Sequence, residues 1–329
     1  MSIDSIQSNE ALSVQVSTGS RLHFGLFDVK VPFGGVGLMI DHPRTVVTVK
    51  AADSFEVRPC RVSRAIEIAS RISPRLPATL SRRDLPNCEI QIDAMADSHC
   101  GLGSGTQLAL AVAVAICEFF RIPWSRHELI EDIALRGRRS AIGSIGFFEG
   151  GLIAEAGTHE SYDNLSDSWS RTDLPEPWRI VLACAEITGQ GVSGEAEKAA
   201  FAALEPATPE YRRDLVQLGQ EICNSARNAD FDGFSTAVAT FNARSGQLFS
   251  AQQGGCFNGP AVEALIARIK SRGIVGVGQS SWGPTVFAFC ANELEAECLR
   301  QSLDGVCCRI VKPKATAYGL SRSPNTSCK

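Results

Sequence analysis

The sequence predicts an α+β fold in two domains, and three observations carry that prediction. A strand-rich opening leads through a glycine loop into a helix that is apolar almost all round. The last third runs in α-β-β-α-β order. The 329 residues suffice for two packed domains of ordinary size, or for one large one. Apolar residues make up 44% and charged residues 21%, the balance of a globular chain.

The elements follow in order. Ser13 to Ser17 alternates as a strand does, and Thr45 to Val49 is rich in β-branched residues. Gly34-Gly35 between them marks a tight turn or a backbone approached by a ligand. Val62 to Ile72 has helical apolar spacing, the basic and proline-punctuated stretch Ser73 to Pro86 reads as a loop, and Glu89 to Asp93 is another strand. The glycine loop Cys100 to Gly105 opens onto a helix over Thr106 to Phe120, expected to be buried on most faces. A helix over Arg126 to Arg136 is expected because Ser125 and Glu128 form a capping-box pair and Gly137 supplies the stop. After Ile153 come a polar loop, a strand over Arg179 to Cys184, and helical stretches around Ala196 to Leu204, Pro209 to Arg227 and Phe231 to Leu248. The closing set is helix Pro260 to Ser271, strands Ile274 to Val277 and Thr285 to Cys290, helix Glu293 to Leu303 and strand Cys307 to Val311. That order suits a ferredoxin-like domain. The boundary is placed near residue 180, giving domains 1–180 and 181–329.

Charge and composition exclude several functions. A net charge of −4, with no local basic patch, makes nucleic acid and membrane surfaces unexpected partners, so any bound phosphate is expected on a small molecule. Met1 to Glu10 carry no basic run and read as neither signal nor transit peptide. The strongly apolar stretch Leu108 to Cys117 is about half of the roughly 20 residues that span a bilayer. Twelve cysteines include no C-x-x-C spacing, so they are expected as reduced thiols of a cytoplasmic protein.

Four segments are candidates for chemistry. Gly101, Leu102, Gly103, Ser104, Gly105, Thr106 and Gln107 stand between a strand and a buried helix, where unpaired N–H groups and the helix dipole favour a phosphate or pyrophosphate. No Gly-Lys-Ser/Thr follows, so this is not a P-loop. Gly137 to Gly151 offers Arg138, Arg139 and Ser140 as anion donors and Glu149 for a metal or a ribose hydroxyl. Gly278 to Thr285, with Ser280 and Ser281, lies between two strands and is placed to close over a ligand. Arg21, His23 and Asp28 share one short strand-and-turn segment, with Arg21 and His23 on one face. Each has a plainer reading: a glycine turn packing a helix, a helix end before a strand, a hairpin connection, a structural histidine. His42, His127 and His159 have no partner spacing for zinc.

Taken together, Gly101 to Gln107, the run Gly137 to Gly151 and Ser280-Ser281-Trp282-Gly283-Pro284-Thr285 resemble the three motif regions of the GHMP kinase superfamily over most of the chain. Ser104-Gly105 stands in place of paired serines, and Ser280 to Pro284 in place of a run of glycines. These departures point away from ATP phosphorylation and, together with Arg21-Leu22-His23-Phe24, match the branch of β-ribofuranosylaminobenzene 5′-phosphate synthases. The resemblance implies a GHMP-type fold, with an N-terminal domain like ribosomal protein S5 domain 2 and a ferredoxin-like C-terminal domain. It implies transfer from phosphoribosyl pyrophosphate to 4-aminobenzoate or 4-hydroxybenzoate, with loss of pyrophosphate and CO2, to form a C-riboside 5′-phosphate in methanopterin biosynthesis. Under it, the Gly101 to Gln107 loop holds the leaving pyrophosphate, and Arg138, Arg139, Ser140, Glu149, Ser280 and Ser281 contact substrate. His23 or Asp28 takes or steers a proton, and Arg21 pairs with a carboxylate or phosphate. Mg2+ is the candidate metal, no tightly bound organic cofactor is expected, and a homodimer is compatible with this reading. The other readings are an ATP-dependent small-molecule kinase of this superfamily and a non-catalytic ligand-binding relative.

Overall fold

The computed structural model describes residues 12–59, 62–82, 85–137, 139–157, 169–185 and 199–324. Its first sheet is built on a long antiparallel ribbon. Strand β1 (Leu12–Leu26) pairs with β2 (Gly35–Ala51) in a register that runs from Ser13 opposite Lys50 to Leu26 opposite Gly35. The turn between them is shaped by Phe33 and Gly34, both at positive φ (52° and 78°). β2 is buried without a break over Gly35 to Ile40, where both faces are covered, and alternates from Thr45 onward, where one face meets solvent. Strand β3 (Glu56–Arg58) and helix α1 (Ser63–Ile72) follow. The expected loop Ser73 to Pro86 is instead two 3-10 turns and a small hairpin, β4 (Ser81–Arg82) with β5 (Leu85–Pro86). β6 (Cys88–Ala94) then lies antiparallel to β2 and parallel to β3.

Helix α2 (Ser104–Phe120) covers this sheet. Every residue from Gln107 to Cys117 is buried, so the all-round apolar pattern is the signature of a helix enclosed by β1, β2, α1 and its other neighbours. The capping box at Ser125 and Glu128 forms as the spacing predicts. The helix it starts does not reach Arg136, however: α3 (Arg126–Glu128) passes into a π-helical turn over Leu129–Ile133. The chain leaves through Leu135 and Gly137, at φ 52° and 87°, so the stop precedes the expected glycine. α4 (Ile142–Glu149) and β7 (Leu152–Glu155) complete the glycine-rich run, with β7 antiparallel to the start of β2. β8 (Trp169–Thr172) adds to β7.

The second sheet begins at β9 (Arg179–Cys184), at the bounds the sequence predicts. Two long helices, α5 (Pro209–Arg227) and α6 (Phe231–Gln247), are capped by Thr208 and Asp230. The stretch expected as helical at Ala196 to Leu204 lies partly outside the described residues. The short α7 (Ser250–Gln253), α8 (Pro260–Lys270), β10 (Val277–Gln279), β11 (Thr285–Cys290), α9 (Glu293–Ser302) and β12 (Cys308–Val311) follow. The strand order β10-β11-β9-β12, all antiparallel, is that of a ferredoxin-like domain. The chain then returns: β13 (Gly319–Pro324) pairs with β1, and Tyr318 stacks on Phe147 of α4 at 4.7 Å. Residues 319–324, assigned from sequence to the second domain, therefore lie in the first sheet. One apolar cluster joins Leu22 and Phe24 of β1 to Ile180, Phe234, Phe287 and Phe289, so the two sheets share a core.

Candidate active site

The glycine segments meet because close backbone approach brings them together. Ser280, 0% exposed, donates its hydroxyl to the Gly101 carbonyl (2.7 Å) and accepts the His23 N–H (3.0 Å). Ser281 N–H in turn donates to the His23 carbonyl (3.1 Å). A Cβ at Gly101 would stand 2.2 Å from the Ser280 carbonyl oxygen, so a side chain there would push the loops apart. Asn242 of α6 clamps the same junction, donating to the carbonyls of Phe24 (2.6 Å) and Gln279 (2.8 Å) and accepting from Gln279 N–H (2.8 Å).

Beside this junction lies a cavity of about 770 Å³, a size suited to small-molecule substrates. Four cationic side chains line it, Arg21, Lys30, Arg136 and Arg139, and among the described residues no carboxylate does. Arg21 packs where Gly103 has no side chain, 3.0 Å from the position of an added Cβ. The Arg136 guanidinium lies near Gly105, and its Nε is buried with no hydrogen-bond partner among the described residues. Lys30 Nζ donates to the carbonyls of Phe201 (3.2 Å) and Ala202 (3.1 Å). Part of the lining is aromatic: Phe201, Phe249 and Trp282 contact one another edge to face at 5.0 to 5.8 Å, and the Arg139 guanidinium sits 4.1 Å over the Phe201 ring.

The structure brings some sequence candidates together and sets others apart. Arg21, His23, Thr106, Arg139, Ser140 and Ser281 line the cavity. Gly101, Gly103, Ser104 and Gly105 form the turn that starts α2, and no carbonyl of the described residues takes the N–H groups of Ser104 or Gly105. Leu102 is buried in the shared core, and buried Gln107 is spent on Thr18 (3.0 Å) and the Gly143 carbonyl (2.9 Å). Asp28 is 5% exposed and accepts from the N–H groups of Val29 (2.7 Å), Lys30 (3.1 Å) and Ala207 (3.2 Å), which makes it a turn residue beside the cavity rather than in it. Glu149 pairs with Arg126 at 2.6 Å and does not line the cavity. Arg138 lies outside the described residues. Lys30, Phe201 and Phe249 escape the sequence reading because each stands outside the motifs, and Arg136 because it lies one residue before the Gly137 run; Trp282 stands inside a motif, which is the signal that could have found it.

Two titratable groups stand in the cavity wall and just behind it. His23 Nε2 is 3.3 Å from Ser140 Oγ, and burial, then the Arg21 charge, hold its pKa well below 6.5, so its imidazole is neutral. Glu155, 2% exposed, is pushed up to about 7 by burial, against hydrogen bonds from Ser140, Ala141 and Ile142 and the charge of Arg21. No cluster of three or more His, Cys, Asp or Glu able to hold a metal occurs among the described residues. The lining groups are cations, hydroxyls, amides and rings, which do not fit a protein-held Mg2+.

Models of the GHMP kinases N terminal domain and the GHMP kinases C terminal match residues 61–148 and 238–307. The chain is 31% identical over 296 residues to β-ribofuranosylphenol 5′-phosphate synthase of Methanothermobacter thermautotrophicus, covering 83% of this chain and 87% of that protein. It is 28% identical to the protein of the same name from Archaeoglobus fulgidus, covering 93% and 98%. Among solved structures, a homoserine kinase from Cytophaga hutchinsonii superposes with a TM-score of 0.66 at 14% identity, over 94% of this chain and 97% of that one. Mevalonate pyrophosphate decarboxylase from Streptococcus pyogenes gives 0.65 at 10% identity, over 93% and 98%. At those identities the likeness is one of fold, and it carries the GHMP-type two-domain architecture.

Proposed function

Since the chain belongs to the β-ribofuranosylphenol 5′-phosphate synthase family, a branch of the GHMP kinase superfamily, we infer that it joins phosphoribosyl pyrophosphate to a para-substituted benzoate. Pyrophosphate and CO2 leave, and the product is a C-riboside 5′-phosphate for methanopterin biosynthesis. The observation that carries this reading is the pairing, in one cavity, of four cations without a carboxylate and a three-ring aromatic wall. The cations suit a polyanionic donor and the rings a planar arene.

In this reading the start of α2, with Arg21 and Arg136, holds the pyrophosphate and neutralises charge as the C1–O bond breaks to an oxocarbenium-like centre. The benzoate ring lies against Phe201, Phe249 and Trp282, with Arg139 for its carboxylate. His23, which lines the same cavity, is the group that takes or steers a proton, and the turn role of Asp28 argues against the alternative. Mg2+ is assigned to the phosphates of the donor rather than to protein ligands, given the lining groups. The ten described cysteines are free thiols, which supports the cytoplasm as the compartment.

The kinase reading is weaker: ATP phosphorylation calls for a base and metal ligands at the phosphates, and no carboxylate lines this cavity among the described residues. Carboxyl-labelled 4-hydroxybenzoate and 4-aminobenzoate, supplied with and without phosphoribosyl pyrophosphate, test the assignment directly. Labelled CO2 that appears only with the donor is the expected result. Absence of release from folded protein, together with ADP formation from ATP and a small alcohol, would return the kinase to first place.

A further inference from the structure

Glu155 is a buried carboxylate that the reaction as described leaves without a task. It stands at the end of β7, directly behind the cavity wall, and its two oxygens accept the Ala141 N–H at 2.8 and 3.0 Å. Hydrogen bonding from Ser140 and Ile142 also favours its ionised form, and the Ile142 N–H donates to Ser140 Oγ at 3.4 Å. An anion at the start of α4 is a good helix cap, and a cap accounts for the contacts with Ala141 and Ile142. The Ser140 oxygen shares in that cap through Ile142, but a cap does not account for the approach of the same hydroxyl to His23. Ser140 Oγ lies 3.3 Å from His23 Nε2, while Nδ1 of that ring, which lines the cavity, has no partner among the described residues. The charged group facing Glu155 is Arg21 of β1, and the titratable group beyond Ser140 is His23.

Building on the synthase reading above, we propose that Glu155 is a positioning residue that stores the acceptor's phenolic proton, delivered through His23 and Ser140. The ring carbon that bears the carboxylate bonds to C1 of the ribosyl group, and the C1–O bond breaks with its electron pair leaving on pyrophosphate. The phenol thereby becomes a protonated dienone and turns strongly acidic. Its proton passes to His23 Nδ1, the Nε2 proton moves to Ser140 Oγ, and the Ser140 proton moves to Glu155. When CO2 leaves, its bonding pair restores the aromatic ring, and the phenolate oxygen recovers the proton along the same path. No proton is consumed. The arrangement also explains why a histidine held neutral by burial can serve: it changes tautomer without ever carrying a charge. With 4-aminobenzoate the nitrogen lone pair stabilises the intermediate without surrendering a proton, so the relay is idle.

The test is the ratio of kcat/KM for 4-hydroxybenzoate to that for 4-aminobenzoate in the wild type, S140A and E155Q. S140A cuts the relay while leaving the Glu155 cap on α4 in place, and thermal melting checks that both variants fold. The ratio is expected to shift against 4-hydroxybenzoate by about 100-fold or more, the scale of acid–base catalysis. A purely structural or donor-binding role lowers both acceptors alike, and an unchanged ratio in folded variants overturns the proposal. Should the wild type accept 4-hydroxybenzoate alone, the pH profile of kcat decides. Support requires a limb rising through about pH 7 that is missing from E155Q, and a limb that persists in E155Q overturns the relay. Turnover of 4-aminobenzoate alone overturns it as well. Turnover of neither acceptor refutes the synthase reading itself, and the relay falls with it.

Discussion

His23 and Glu155 are two buried groups whose proton affinities burial moves in opposite directions, and folding stability records both. For Glu155 the folded value of about 7 exceeds the ordinary 4.5. Between those values the native state holds a proton that the unfolded chain has lost, so stability falls as pH rises through the window. For His23 the folded value lies well below 6.5, so the unfolded chain binds a proton that the native state refuses, and stability falls as pH drops below 6.5. Just below 6.5 the two slopes oppose each other. E155Q removes one of them. Its stability relative to the wild type should rise with pH by about 3 kcal/mol across the Glu155 window, read from urea unfolding at several pH values. A flat difference would mean that the carboxylate ionises normally where it lies. Loss of the Trp282 ring as a partner for the arene, worth about 1 kcal/mol, should raise KM for the benzoate about fivefold in W282A and leave KM for the donor nearly unchanged. An equal rise in both constants would place the arene elsewhere.

The junction of α6 with β1 and β10 depends on one side chain. Asn242, 6% exposed, satisfies three backbone groups at 2.6 to 2.8 Å, and N242A would leave the Phe24 and Gln279 carbonyls and the Gln279 N–H buried without partners. A loss of about 3 kcal/mol in unfolding free energy is expected, and a loss under about 1 kcal/mol would show that water replaces the amide. Elements of this kind mark the limit of sequence reading. The strand Arg179–Cys184, the buried helix after Gly103 and the capping box at Ser125 are legible because each is written in local periodicity or local hydrogen bonding. The pairing of β13 with β1 is not, since its register is fixed by residues some 300 positions apart in the chain. The same holds within the site. Arg21 and His23 could be read from a strand's alternation, whereas Lys30 and Arg136 look like ordinary solvated cations until the fold turns them toward one cavity. Glu155 carries no local signal, because what gives it chemistry is Ser140, fifteen positions away.

Across the whole molecule the charge is uneven in a way that composition conceals. The net charge is −4, yet the cavity is lined by four cations and, among the described residues, by no carboxylate. A concave site of one sign focuses its field, so a donor carrying several negative charges should be drawn in against the molecule's overall sign. Salt screens exposed charge over about 8 Å at physiological ionic strength and over about 3 Å at 1 M, so this attraction must weaken as salt is added. KM for phosphoribosyl pyrophosphate should climb several-fold between low and high salt, while KM for the benzoate, which carries one charge and lies on an aromatic wall, should change little. Arg136 is the cation through which to test the origin of that slope, since its Nε is buried without a hydrogen-bond partner among the described residues and its head lies beside the start of α2. A charge-assisted hydrogen bond is worth about 1.5 to 3 kcal/mol, so R136M should lower kcat/KM for the donor about 10- to 100-fold. The variant should also show a shallower dependence on salt than the wild type. A variant that loses affinity but keeps the full salt slope would assign the attraction to the other three cations and make Arg136 a residue of shape rather than of charge.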